Sequence, residues 1–141
     1  MSAGAEQRDE VVPLLSLKTK TEPTQTKAPY IQDGGYKNER ISYAWEVSNH
    51  DKDFILLLNS ENGAWSETTK SGIRYWRDGK YYEDSGICQI STYYHPEITN
   101  HKQFPDYKFQ IEQCYKLYKS GTRFYGWEFR HLRGRNLIFP Q

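Results

Sequence analysis

One run in this chain decides what the rest must be built around. Phe54-Ile55-Leu56-Leu57-Leu58 is apolar on every side of a helix. A helix with no polar face has to be covered all round, so other elements must pack against it on several sides. Asp51 stands where an N-cap carboxylate would take an orphan backbone N–H. Asn62-Gly63 supplies the stop, which ends the helix near Glu61.

The covering elements are legible on either side. Residues 38–48 place Ile41, Ala44, Trp45 and Val47 at spacings of three and four, a helical pattern. Residues 106–119 do the same with Phe109, Ile111, Cys114, Tyr115, Leu117 and Tyr118, before Gly121 stops them. Between these helices the character changes. Ile73-Arg74-Tyr75-Trp76 and Tyr81-Tyr82 are β-formers around Arg77-Asp78-Gly79-Lys80, and Asp-Gly in that place signals a hairpin. Gly86-Ile87-Cys88-Gln89-Ile90 reads as a further strand or extended segment, ended by Tyr94-His95-Pro96. Short helical turns are expected beyond Gly121. The fold class is therefore α+β, mainly α, with a small β-hairpin subdomain.

Residues 1–29 differ from the rest: they hold no aromatic residue and are rich in Thr, Lys, Gln, Glu and Pro. Such a composition buries too little apolar surface to offset its own ordering. It reads as an extended tail or tether, and the folded domain as residues 30–141. The folded part is rich in aromatics, 16% of the chain with 12 tyrosines, and must build its core partly from them.

Composition also excludes. A net charge of +1 gives no basic footprint of the kind nucleic-acid binders carry, although Lys116, Lys119, Arg123, Arg130, Arg133 and Arg135 gather against Glu128 alone. No apolar stretch approaches the ~20 residues of a membrane span. The acidic start and the short run Val11-Val12-Pro13-Leu14-Leu15 do not make a secretory signal, so synthesis in a cytoplasm without a signal peptide is expected. Two cysteines with His50, His95, His101 and His131 show no metal-ligand spacing, and nothing calls for a metal or a cofactor.

The chemistry gathers in two places: Asn59-Ser60-Glu61-Asn62-Gly63-Ala64-Trp65 and Glu83-Asp84-Ser85-Gly86-Ile87-Cys88-Gln89-Ile90-Ser91. Glu61 closes an apolar helix, where desolvation and the helix C-terminus both resist its ionisation. Asp84 is a second carboxyl on the hairpin side. Two carboxyls in different environments are the minimal equipment for glycosidic cleavage.

These segments, in order, resemble the lysozyme-like superfamily, which includes animal lysozymes, lytic transglycosylases and phage tail lysozymes. The matching pieces are the apolar helix ending in Ser60-Glu61, the Gly86-Ile87-Cys88-Gln89-Ile90 segment, and Gln110-Ile111-Glu112-Gln113-Cys114 with Gly121 to Trp127. Together they cover about residues 38 to 130. The resemblance implies a lysozyme-like fold with the hairpin beside a catalytic cleft. It also implies cleavage of the β-1,4 bond between N-acetylmuramic acid and N-acetylglucosamine.

By the same resemblance Glu61 is the catalytic acid and Asp84 falls where animal-type lysozymes hold their second carboxylate. The tandem Glu83-Asp84 departs from the family pattern. Successive strand residues face opposite sides, so one of the two faces the cleft, and Asp84 is favoured. Gln89 and Ser91 are implied near the sugar. Trp65 is expected to wall the Glu61 pocket, and Tyr94 and Tyr125 to stack on pyranose rings. Cys88 and Cys114 are expected close together as reduced, buried thiols.

The expected partner is a peptidoglycan glycan strand. A phage-type enzyme is implied, virion-associated or released to the cell wall, with residues 1–29 tethering it to virion or assembly proteins. Two alternatives accompany this reading: a lytic transglycosylase using Glu61 alone to form an anhydro product, and a non-catalytic virion or interaction module on the same scaffold.

Overall fold

The computed structural model describes residues 27–72, 75–122 and 136–140. Among them are four helices and six short strands, the strands in three antiparallel pairs. No described helix is long and apolar enough to cross a membrane.

The apolar run forms α2 (Lys52–Glu61), with Phe54, Ile55, Leu57 and Leu58 fully buried. Its first turn is fixed by Asp51, whose carboxylate accepts the Phe54 N–H at 3.2 Å and the Tyr118 hydroxyl at 3.0 Å. The cap thus also joins α2 to the far end of another helix. Helix α1 (Tyr36–Val47) buries Ile41, Ala44 and Trp45, three of the four positions its spacing marks for the core, and packs the fourth, Val47, partly buried against it. It ends where Asn49 and His50 turn left-handed, and the His50 ring stacks on Trp45 at 4.8 Å.

Helix α3 (Pro96–Thr99) is a single turn. Helix α4 (Tyr107–Lys119) is capped by Asp106, which accepts the Lys108 N–H at 3.0 Å, and it buries Gln110, Ile111 and Cys114. Tyr115 and Tyr118 close on Phe54, each with ring centres 5.2 Å away, so part of the core is aromatic as the composition requires.

Strand β1 (Tyr30–Ile31) pairs with β6 (Leu137–Ile138), which brings the two ends of the folded body together. Pro29 is fully buried and Ala28 packs on the core, so the body starts slightly before the expected Tyr30. Strands β2 (Tyr75–Arg77) and β3 (Lys80–Tyr82) form the expected hairpin, with Asp78 and Gly79 both at positive φ.

Strands β4 (Asp84–Ser85) and β5 (Ile90–Ser91) pair in the register Asp84↔Ser91 and Ser85↔Ile90. The segment 86–89 expected as extended is instead the tight turn between them, closed by the Gln89 N–H on the Gly86 carbonyl at 3.1 Å. Two glycine-like conformations permit it: Gly86 at φ 85° and Gln89 at φ 56°.

Candidate active site

Glu61 is the last residue of α2 and is half-buried. The next residue, Asn62, organises everything around it. Asn62 is 6% exposed and its side-chain oxygen accepts the Ala64 N–H at 3.0 Å. Its amide donates to the Ser66 carbonyl at 3.0 Å and to the Gly86 carbonyl at 3.3 Å. Gly86 follows Asp84 by two residues, so one side chain ties the segment bearing Glu61 to the segment bearing Asp84. Sequence reading took Asn62 only as a helix stop. A short amide that bonds its own backbone and reaches a second chain segment is a fuller use of the same residue type.

Asp84 lies between two neighbouring chain segments. On one side it pairs with Ser91. On the other its carbonyl accepts the Ser71 N–H at 2.9 Å and its N–H donates to the Ser71 hydroxyl at 3.3 Å, beside a bridge between Lys70 and Ser85. Asp84 is half-buried, and desolvation, then the neighbouring Glu83 charge, pushes its carboxyl above the usual Asp range. Glu83 itself is held by Lys70 at 3.3 Å.

A raised carboxyl pKa means that the folded chain holds this proton more firmly than the unfolded chain does. Its effect on stability therefore runs against the native state as pH rises through the window just above the ordinary Asp value. Asp84→Asn, which cannot ionise, is expected to remove that slope and to leave the protein more stable at neutral pH. Urea midpoints of both proteins across the acidic range measure it, and parallel pH profiles would refute it.

The turn between β4 and β5 is anchored from three directions. Asn62 holds the Gly86 carbonyl, as above. Gln110 on α4, 1% exposed, accepts the Ile87 N–H at 2.8 Å and donates to the carbonyls of Glu67 at 2.9 Å and Phe104 at 2.7 Å. A side chain at Gly86 would meet the Gln110 amide oxygen at 2.5 Å, so that glycine is required by the approach as well as by its φ.

The third anchor is a disulfide between Cys88 and Cys114. This corrects the expectation of two reduced thiols. The turn lies flat on α4 and sets the two Cα atoms 6.2 Å apart, within bonding range.

The other expected site residues divide. Trp65 is fully buried, its indole N–H donating to Asn59 at 2.8 Å, so it supports the Glu61 loop from within and offers no face to a sugar. It is held at φ 54°, unusual for a bulky side chain. Gln89 spends its amide on the carbonyls of Gly86 at 2.9 Å and Thr69 at 3.3 Å. The Ser91 hydroxyl accepts the N–H groups of Tyr93 at 3.1 Å and Tyr94 at 3.2 Å. These two residues shape the turn and its exit. Tyr94 does present an exposed ring, with its hydroxyl accepting from Arg77 at 2.7 Å. Tyr125 and the basic residues 123–135 lie outside the described residues.

Behind the site, Arg40 of α1 stacks over Tyr107 at 4.3 Å and bonds Glu67 at 2.9 Å. Burial alone would raise the Glu67 carboxyl. Hydrogen bonds from its own backbone N–H and from Arg40 outweigh that and hold it below the usual Glu range. Tyr36 adds a bond to the Ala64 carbonyl at 2.8 Å. The loop after Glu61 is thus fixed to α1 by hydrogen bonds and an ion pair, and the turn after Asp84 to α4 by hydrogen bonds and the disulfide. Among the described residues no cluster of His, Cys, Asp or Glu is arranged to hold a metal ion.

No protein-family model, curated protein or solved structure matches this chain.

Proposed function

We propose that this chain is a peptidoglycan-cleaving glycosidase of the lysozyme-like fold, with Glu61 as general acid and Asp84 as the second carboxylate. The observation that carries the reading is the Asn62 bridge to Gly86, which draws the two carboxylate-bearing segments together. Two features support it. Trp65 and Gln89 hold left-handed backbone, one in each segment, and such conformations gather at functional sites. Asp84 is a perturbed carboxyl in the same place, pushed upward by desolvation and by the Glu83 charge, and perturbed groups cluster at functional sites.

In this mechanism Glu61 protonates the glycosidic oxygen as the bond to the anomeric carbon breaks. The Asp84 carboxylate stabilises the positive charge that develops there, directly or through a water it activates. In the direct, retaining course Glu61 then takes the proton of the attacking water; where Asp84 activates the water, Asp84 takes that proton and Glu61 is left ionised. Asp84 must be ionised to act, so its raised pKa places the acid limb of the rate profile above the ordinary Asp range. The cleavage site is the N-acetylmuramic acid to N-acetylglucosamine β-1,4 bond, and a phage enzyme acting at the wall is the setting that fits. The disulfide supports such a setting, because these bonds persist in oxidising surroundings outside the cytoplasm.

Digestion of purified sacculi followed by mass spectrometry of the product ends tests the reading. Muropeptides with reducing ends are expected. Anhydro ends would transfer the chain to the lytic transglycosylases, with Glu61 acting alone. No soluble product would leave a non-catalytic virion or interaction module.

A further inference from the structure

The β2–β3 hairpin has two faces, and they are used differently. On one, Arg77 lies over the rings of Tyr93 at 5.4 Å and Tyr94 at 5.6 Å, donates to the Tyr94 hydroxyl, and is joined there by Tyr82, 5.3 Å from Tyr93. Asp78 at the turn accepts the Tyr93 hydroxyl. These bonds fix the hairpin to the turn that leaves Ser91. On the other face stand Trp76 and Tyr81, opposite each other across the ladder.

Their rings meet edge to face at 4.7 Å, and they are 63% and 65% exposed. The other described tryptophans, Trp45 and Trp65, are buried at 4% and 0%. Among the described residues, the Trp76 indole N–H and the Tyr81 hydroxyl have no hydrogen-bond partner within the chain.

We infer that the Trp76–Tyr81 face is a glycan-binding exosite, separate from the cleft, which holds a β-1,4-linked N-acetylhexosamine strand while Glu61 and Asp84 work on it. This rests on the muramidase reading for its choice of polymer. The size of the patch argues for a sugar. Two rings exposed by about two thirds present on the order of 300 Å², whereas a stable protein partner or second copy covers about 800 Å² on each side. A pyranose has an apolar face that matches one ring, and its hydroxyl and acetamido edges match the open N–H and O–H.

The position argues for a polymer that also reaches the carboxylates. Tyr81 precedes Asp84 by three residues, which is ~10 Å along extended chain, a distance one oligosaccharide spans. The hairpin is already held in place by Arg77 and Asp78, so binding there orders little further chain.

The test uses the full chain carrying Glu61→Gln, so that the polymer is not consumed, with insoluble purified sacculi and soluble chitohexaose as probes. Adding Trp76→Ala and Tyr81→Ala together is expected to weaken retention on sacculi by about tenfold or more, and to remove the shift in tryptophan fluorescence on adding chitohexaose. Trp76→Phe, which keeps a ring and needs no refolding, should retain most of the sacculus binding. Unchanged retention in the double variant overturns the exosite. So does a dimer of the parent, seen by ultracentrifugation, that the double variant dissolves while retention stays the same.

The retention assay needs no catalysis, which separates the two readings. A chain with native Glu61 that releases no product, while retention still depends on the pair, loses the muramidase assignment and keeps the exosite. A lytic parent whose retention ignores the pair does the reverse.

Discussion

Glu61→Gln is expected to reduce the release of soluble product from sacculi by about 10²–10⁴-fold, with the melting temperature nearly unchanged. The substitution keeps the shape and the hydrogen-bonding reach of the side chain. It removes the transferable proton, and the charge of the ionised form, at the end of α2. That helix is a rigid support: Phe54, Ile55, Leu57 and Leu58 are fully buried, and Asn62 pins its exit to Gly86. A lost proton donor on a fixed support costs rate and leaves the fold in place. Turbidity clearing and end-group yield measure the rate, and far-UV circular dichroism with a thermal melt checks the fold. Activity within a few-fold of the parent would sink the assignment of Glu61.

The second large effect concerns stability. Opening the Cys88–Cys114 disulfide, by reductant or by Cys88→Ala with Cys114→Ala, is expected to cost roughly 3–4 kcal/mol. That figure follows from chain entropy, since the bond closes a loop with a sequence separation of 26. Against a typical total of about 5–15 kcal/mol, it is a large share. Urea unfolding with and without reductant measures it, and coincident midpoints would show that the bond contributes nothing.

Activity should fall with it, because the bond secures the turn that Asn62 and Gln110 also hold. Reduced protein that remains folded is therefore expected to clear walls more slowly than oxidised protein at the same temperature.

The helices were legible because their signals are local. Asp51, the apolar run and Asn62-Gly63 mark α2 almost residue by residue, and Ile41, Ala44 and Trp45 mark the buried face of α1. The Asp78-Gly79 turn was equally plain, since its backbone conformation favours those residue types.

Residues 86–89 read as a strand or extended segment in the sequence but form a turn, while Ile90 does enter a strand. The segment's apolar content suits a strand, but the positive φ at Gln89 is imposed by tertiary bonds to Gly86 and Thr69 that no local pattern announces. The disulfide was missed for a related reason. Two cysteines 26 residues apart do not announce their pairing, because the proximity that permits the bond depends on how the turn packs against α4.

One signal was present and went unread. Tyr107, Gln110, Ile111 and Cys114 share one helical face, so a Gln at that position had to be buried and fully occupied. It proves to be the side chain that joins the Glu67 loop, the Phe104 carbonyl and the Ile87 N–H. The candidate site is thus built less by the residues that resemble known sugar contacts than by two amides, Asn62 and Gln110, that hold backbone in place.

The pairing of β1 with β6 sets a schedule. Tyr30 and Ile31 lie early among the folded residues, yet their partners Ile138 and Leu137 come about a hundred residues later in the chain. Helices α1, α2 and α4 can gather during synthesis, because each meets the others over shorter stretches of chain. Leu137, 8% exposed, is the part of the core that this late strand supplies. A domain wired in this way keeps its first strand unpaired until the far end of the folded body has been made.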